Sequence, residues 1–156
     1  MTTRFFSADI FQTENNVGLA HGCNCAGAMG KGIAVEFKHR WPAMYTTYKS
    51  MCASGEFTLG SVFLWTDEVS GRTIFNLGTQ RTWRTKATLD AVETATAKML
   101  ERASESGVQA IAMPLVGAGL GGLPAEDVKQ VLMRLSADST IDLLVCDEFV
   151  KGKAPS

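Results

Sequence analysis

Two glycine-rich stretches offer the most chemistry in this 156-residue chain. Gly27-Ala28-Met29-Gly30-Lys31-Gly32 runs straight into Ile33-Ala34-Val35, and Gly117-Ala118-Gly119-Leu120-Gly121-Gly122 follows an apolar run from Ala110 to Val116. Lacking Cβ atoms, such loops bring backbone N–H groups close to a ligand, and an adjoining helix start adds partial positive charge. The matching ligand is an anion, with phosphate the default. Two loops of this kind suggest one ligand with more than one phosphate, held from both sides.

Other motifs compete for attention. Gly117 to Gly122 satisfies G-x-G-x-x-G, and Asp147 stands where a ribose-binding carboxylate would sit, but a dinucleotide fold needs more strands after its fingerprint than remain here. The first loop is no Walker A sequence, because Gly32 rather than Ser or Thr follows Lys31, which reads as a rim charge. In His21-Gly22-Cys23-Asn24-Cys25, three metal-ligating types share one face of an extended segment. A fourth ligand is missing, so buried thiols beside a hydrogen-bonded histidine are the expectation, with no metal and no Cys–His nucleophile. Trp83, between Thr82 and Arg84 in a polar stretch, is a candidate pocket wall. Phe149 could cap the sheet or stack on a flat ring.

These groups need elements to position them. Arg4–Ile10 and Val17–Asn24 read as strands, with a polar turn over Gln12–Asn16. A helical pattern runs from Gly32 to Trp41, Pro42 opens a second helix towards Met51, and Gly55–Gly60 is a loop. Ser61–Val69 and Arg72–Gly78 form a strand pair about Ser70-Gly71. Lys86–Ser106 is a helix closed by Gly107, Gln109–Val116 a buried strand, Pro124–Leu135 a helix and Ile141–Asp147 the last strand. The pattern is α/β, with a mixed sheet covered by helices on both sides, and both glycine loops fall at strand carboxyl ends, where such sheets bind ligands.

Composition sets outer bounds. A 46% apolar chain of this length suits one domain, expected over 1–150, with 151–156 a frayed tail. Fifteen Lys and Arg against sixteen Asp and Glu leave a net charge of −1, so no global field draws in nucleic acid. Local basic clusters remain at Lys31 to Arg40 and at Arg81, Arg84 and Lys86. No segment reads as a signal peptide or membrane span, and four cysteines without a secretory signal fit reduced thiols. The expectation is a cytoplasmic monomer with no membrane partner.

Asp9-Ile10-Phe11, Asn24 ahead of Met29-Gly30-Lys31-Gly32-Ile33-Ala34, Asn76 to Arg84, and Gly117 to Gly122 after Pro114-Leu115-Val116 together resemble a macrodomain. More narrowly, they resemble the branch with the terminal ADP-ribose protein glycohydrolase, a chromatin-remodeller macrodomain and the DNA-ADP-ribosyl hydrolase antitoxins. The resemblance spans nearly the whole chain and implies a three-layer α/β/α fold with a mixed sheet of about six strands. It also implies an ADP-ribose pocket without a cofactor. Asp9 would accept from the adenine amino group beside the Ile10 backbone, and Phe149 would wall the adenine. The amides of Gly32, Ile33 and Ala34, with Gly30 beside them, and those of Val116, Gly117, Ala118, Gly119, Leu120 and Gly121 would embrace the diphosphate. Asn24 would face the distal ribose, and Thr79 would join the ligand-binding residues, with Trp83, Arg81 and Arg84 as a candidate substrate rim.

The chain departs from the branch at two catalytic positions. Hydrolases of the branch carry a lysine after the threonine where this chain has Gln80, and the protein glycohydrolase has an aspartate where this chain has Gly121. Gln80 is no nucleophilic amine. What remains is a water held by Asn24 and Gln80, activated by a ligand phosphate oxygen and attacking the anomeric carbon. The leading expectation is release of mono-ADP-ribose from acidic side chains of ADP-ribosylated protein. A non-catalytic ADP-ribose reader and a hydrolase of ADP-ribosylated nucleic acid are the alternatives.

Overall fold

The computed structural model describes residues 2–155. Strands β1 (Thr3–Ala8), β2 (Gly18–Asn24), β3 (Val62–Thr66), β4 (Thr73–Gln80), β5 (Ala110–Pro114) and β6 (Asp142–Phe149) form one sheet in the order β1-β6-β5-β2-β4-β3. β3 runs antiparallel to β4, and every other pair is parallel.

The strands are apolar on both faces, as a sheet covered on both sides requires. Ala20, Phe75, Ile111, Met113, Leu143 and Val145 join one core cluster, while Leu19, Ile74, Ala112 and Cys146 join the other. Neighbouring residues thus alternate between two cores, following the period of two along a strand. Helices α3 (Leu89–Glu105) and α4 (Ala125–Ala137) cover the first face with Val92, Ala95, Met99, Val128 and Leu132. Helices α1 (Ala34–Arg40) and α2 (Pro42–Ser54) cover the second with Phe37, Met44 and Tyr48. Each core cluster lies between the sheet and one helix pair, which makes the three-layer α/β/α arrangement. Among the described residues no helix is long and apolar enough to cross a membrane.

Several boundaries differ from the sequence reading. β1 stops at Ala8 because Asp9 caps a single 3₁₀ turn over Ile10–Gln12, its side chain accepting from the Phe11 N–H at 3.0 Å. β6 runs on through Phe149, which therefore belongs to the strand. α3 begins at Leu89 with Thr88 as its cap, since the Ala87 and Thr88 N–H groups donate instead to Gly121 and Thr79 carbonyls at 2.8 and 3.1 Å. The expected frayed tail is tied down: Asp9 N–H donates to the Lys153 carbonyl at 2.7 Å, and Gly152 N–H to the Asp9 carboxylate at 3.1 Å. Ser156 lies outside the described residues.

The feature that creates a site is where β2 leaves β5. They pair only at Gly18–Ile111 and Leu19–Ala112, whereas β2 keeps β4 as far as Asn24–Gln80. The sheet therefore opens at its carboxyl edge between the rest of β2 and the segment after β5. Such a gap between parallel strands is where open α/β sheets hold ligands.

Candidate functional site

Two adjoining chambers occupy that edge. The first, of about 500 Å³, is lined by Asn24, Ala28, Gly30, Lys31, Gly32, Ile33, Ala34, Thr79, Gln80, Trp83, Val116, Gly117, Ala118, Leu120 and Gly121, among others. The second, of about 900 Å³, lies towards β1 and β6 and is lined by Asp9, Phe11, Glu36, Arg40, Gly119, Cys146, Asp147, Phe149, Lys151 and Gly152, with further residues. Gly32, Ile33, Pro114, Leu115 and Ala118 line both, so the two form one elongated cleft narrowed by the glycine loops.

The loops present unused donors at that narrowing. The N–H groups of Gly32, Ile33 and Ala34, and those of Gly117, Gly119 and Leu120, donate to no acceptor among the described residues. Backbone donors left without a protein partner go to water or a ligand. Gly119 sits at φ +62°, and a Cβ built there meets nothing within 4 Å, so its outward side is open space. Leu120 reaches across to the first loop, its Cδ1 3.2 Å from where a Gly32 Cβ would stand. These oriented amides attract an anion without any net positive charge on the protein.

Asn24 and Gln80 stand side by side as register partners at the ends of β2 and β4. The Asn24 side chain organises the loop: its Oδ1 accepts from Ala26 and Ala28 N–H at 3.0 and 3.2 Å, and its Nδ2 donates to the Ala28 carbonyl at 2.8 Å. Tyr48, from α2, fixes the same turn by donating to the Asn24 carbonyl at 2.5 Å. One amide hydrogen of Asn24 is left for a ligand. Gln80 donates its amide to the Thr85 carbonyl at 2.7 Å, which leaves its oxygen on the chamber side, 3.9 Å from an added Gly121 Cβ. That Cβ would also stand 3.0 Å from the Ala87 Cβ, so Ala87 takes the room an acidic side chain at 121 would need.

At the other end, both Asp9 oxygens already accept backbone N–H groups, from Phe11 and Gly152. Asp9 thus closes the second chamber by holding the C-terminal turn, and it retains lone pairs for a further donor. Asp147 faces Lys129 at 3.1 Å, and Glu36 pairs with Arg40 at 2.8 Å, while the Arg40 guanidinium lies 4.3 Å over the Phe11 ring. Phe149 is 63% exposed at the rim.

Not every expected residue reaches the cleft. Ile10 lines neither chamber with its side chain, which the 3₁₀ turn directs into the core, while its backbone N–H, the group the expectation named, donates to no acceptor among the described residues. Arg81 and Arg84 stay on the surface outside both chambers, whereas Trp83 between them is 55% exposed and lines the first. His21 is fully buried, stacked on Phe37 with centroids 3.8 Å apart and bonded through Nε2 to Asn76 Oδ1 at 2.7 Å. Burial pushes its pKa down to about 4, and burial pushes the Cys23 thiol beside it up. Neutral imidazole and un-ionised thiol suit packing, not nucleophilic attack. Among the described residues no group of three or more His, Cys, Asp or Glu is arranged to hold a metal ion.

Sequence reasoning missed Tyr48 and Gly152. Tyr48 reads as one more apolar face of a helix, and no local pattern tells that its hydroxyl ends on Asn24. The glycine at 152, held at φ +78°, was the one available sign that the tail turns back.

A family model described as Macro domain matches residues 20–132. A Mycobacterium tuberculosis protein named DNA ADP-ribosyl glycohydrolase is 36% identical over 129 residues, covering 81% of this chain and 36% of the relative. The chain therefore spans about a third of the length of the curated relatives it matches. The solved macrodomain of Mycobacterium tuberculosis DarG superposes with a TM-score of 0.86 at 31% identity, covering 93% of this chain and 97% of the other. That of Thermus aquaticus DarG gives 0.84 at 30% identity, covering 94% and 98%.

Proposed function

The chain belongs to the macrodomain family, and from that premise we propose that it binds ADP-ribose along the joined chambers and hydrolyses the bond between the distal ribose and a carrier. The observation that carries this reading is the meeting of two chambers at unpartnered amides from both glycine loops. Adenosine takes the second chamber between Asp9 and Phe149. The diphosphate lies against the free N–H groups of Gly32 to Ala34, Gly117, Gly119 and Leu120. The distal ribose enters the first chamber, facing Asn24, Thr79 and Gln80. Fixed dipoles hold such charge with no reorganisation during reaction.

Nucleic acid is the carrier this reading favours. The curated relatives are named for a DNA-linked activity. At the mouth of the first chamber, half-exposed Trp83 offers a ring for a base to stack on, and Arg81 and Arg84 beside it offer charge for phosphates. A carboxyl-linked protein substrate, first in the sequence reading, now stands second. Water held between the free Asn24 amide hydrogen and the Gln80 oxygen attacks the anomeric carbon, without the lysine adduct that Gln80 cannot form. A reader without turnover is the remaining reading, favoured by the Gln80 amide being tied to Thr85.

The test is incubation with a mono-ADP-ribosylated single-stranded oligonucleotide and, separately, a glutamate-linked ADP-ribosyl peptide, with free ADP-ribose followed by mass spectrometry. Release from the oligonucleotide above the uncatalysed rate is expected. Release from the peptide alone would reverse the carrier assignment, and binding of ADP-ribose without release from either would leave the reader.

A further inference from the structure

The hydrolytic reading leaves the departing carrier without a proton, since amides cannot supply one. Of the side chains around the first chamber, Asn24 and Gln80 are amides already bonded to loop carbonyls. Thr79 and Cys23 are buried, a hydroxyl is a weak acid, and burial pushes the Cys23 thiol up so that it gives up its proton less readily still. Among the described residues lining that chamber, Lys31 carries the one charged side chain. It is exposed and makes no hydrogen bond or ion pair among the described residues.

Its backbone setting leaves it room. A Cβ on the preceding Gly30 would meet nothing within 4 Å, and Gly32 after it turns at φ +62°. Lys31 stands on a loop that lines the chamber, and its flexible four-carbon stem gives the ammonium reach there. The mouth is where the carrier must leave, because the adenosine end lies on the other side of the narrowing.

We propose that Lys31 is the catalytic acid for the carrier. This rests on the hydrolytic reading above. As the bond from the anomeric carbon to the carrier atom breaks, its electron pair goes to the carrier, and the Lys31 ammonium delivers a proton to that atom. Water oxygen bonds to the anomeric carbon, its proton passes by way of a ligand phosphate oxygen to solvent, and solvent returns one proton to the Lys31 amine. The sum is one water consumed, with free ADP-ribose and protonated carrier released and lysine restored. The position differs from that of the branch lysine that Gln80 replaces: it comes from the loop facing β4 rather than from β4 itself.

The test is single-turnover release of ADP-ribose from whichever of the two substrates the wild-type protein cleaves, with Lys31→Met and Lys31→Arg alongside. General acid catalysis is worth about 10²–10⁴-fold, so Lys31→Met should slow release by about 100-fold or more. Its affinity for free ADP-ribose, measured by calorimetry, should stay within about threefold, because product has no carrier to protonate. Lys31→Arg keeps the charge but holds its proton, and should recover at most about a tenth of the lost rate. Release by Lys31→Met at the wild-type rate, or full rescue by arginine, would overturn the assignment while leaving hydrolysis intact. A wild-type protein that binds ADP-ribose and releases none from either substrate would overturn both.

Discussion

Gly119→Glu is the sharpest probe of the cleft. Gly119 holds φ +62°, lies at the narrowing on the second-chamber side, and has no protein atom within 4 Å of an added Cβ. Alanine there should cost only the left-handed backbone, about 1–2 kcal/mol of stability, because nothing is displaced. Glutamate adds a carboxylate to the space assigned to the diphosphate. At about 4 Å and a near-surface effective dielectric of about 20, like charges repel by roughly 4 kcal/mol. With about 1.4 kcal/mol per tenfold, affinity for ADP-ribose should fall by on the order of 10³-fold. Calorimetry with ADP-ribose measures this, and thermal melts confirm that both variants fold. Gly119→Ala should bind within about threefold of wild type, as steric and charge terms are absent. A folded Glu variant that binds as well as wild type would show the diphosphate lies elsewhere. Equal losses in both variants would show that loop shape, not charge, had been perturbed.

Gly121→Asp should destabilise by about 1–3 kcal/mol, since its Cβ would stand 3.0 Å from that of Ala87. Adding Ala87→Gly should recover most of that loss in a thermal melt, and no recovery would mean the strain arises elsewhere. Arg72→Ala removes a residue that is 5% exposed and whose guanidinium donates to the Val17, Thr13 and Glu14 carbonyls at 3.2, 2.9 and 2.7 Å. Urea unfolding should report a loss of about 2–3 kcal/mol at unchanged slope. His21 supplies a pH dependence: burial lowers its folded pKa from 6.5 to about 4, so between those values the unfolded chain takes up a proton that the folded one refuses. Its contribution is whole above pH 6.5 and falls as pH drops, reaching a loss of about 3 kcal/mol near pH 4. His21→Gln should flatten that slope in urea titrations across the window, and an unchanged slope would assign it to other groups.

Much of this protein is written locally. The short buried runs of β2 and β4, the one-face spacing in α3 and α4, Pro42 at a helix start and Gly107 at a helix end all act over a few residues. The six strands, four helices and two glycine loops at strand ends therefore follow from the amino-acid order, because backbone geometry couples near neighbours. Errors gathered where a contact that apolar periodicity does not record decided the boundary. The Asp9 cap ended β1 early, and the Gly121 and Thr79 carbonyls delayed the start of α3.

The cleft itself needed the tertiary fold. Only the strand order sets Asn24 beside Gln80, and only the parting of β2 from β5 after Leu19 and Ala112 opens the carboxyl edge. The Tyr48 hydroxyl on Asn24, the Gly152 amide on Asp9 and the Ala87 methyl against Gly121 join segments remote along the chain. Residue types carry the capacity for such contacts. Which of many compatible partners each one meets is chosen by the packing of two helical layers on one sheet, and no local pattern records that choice.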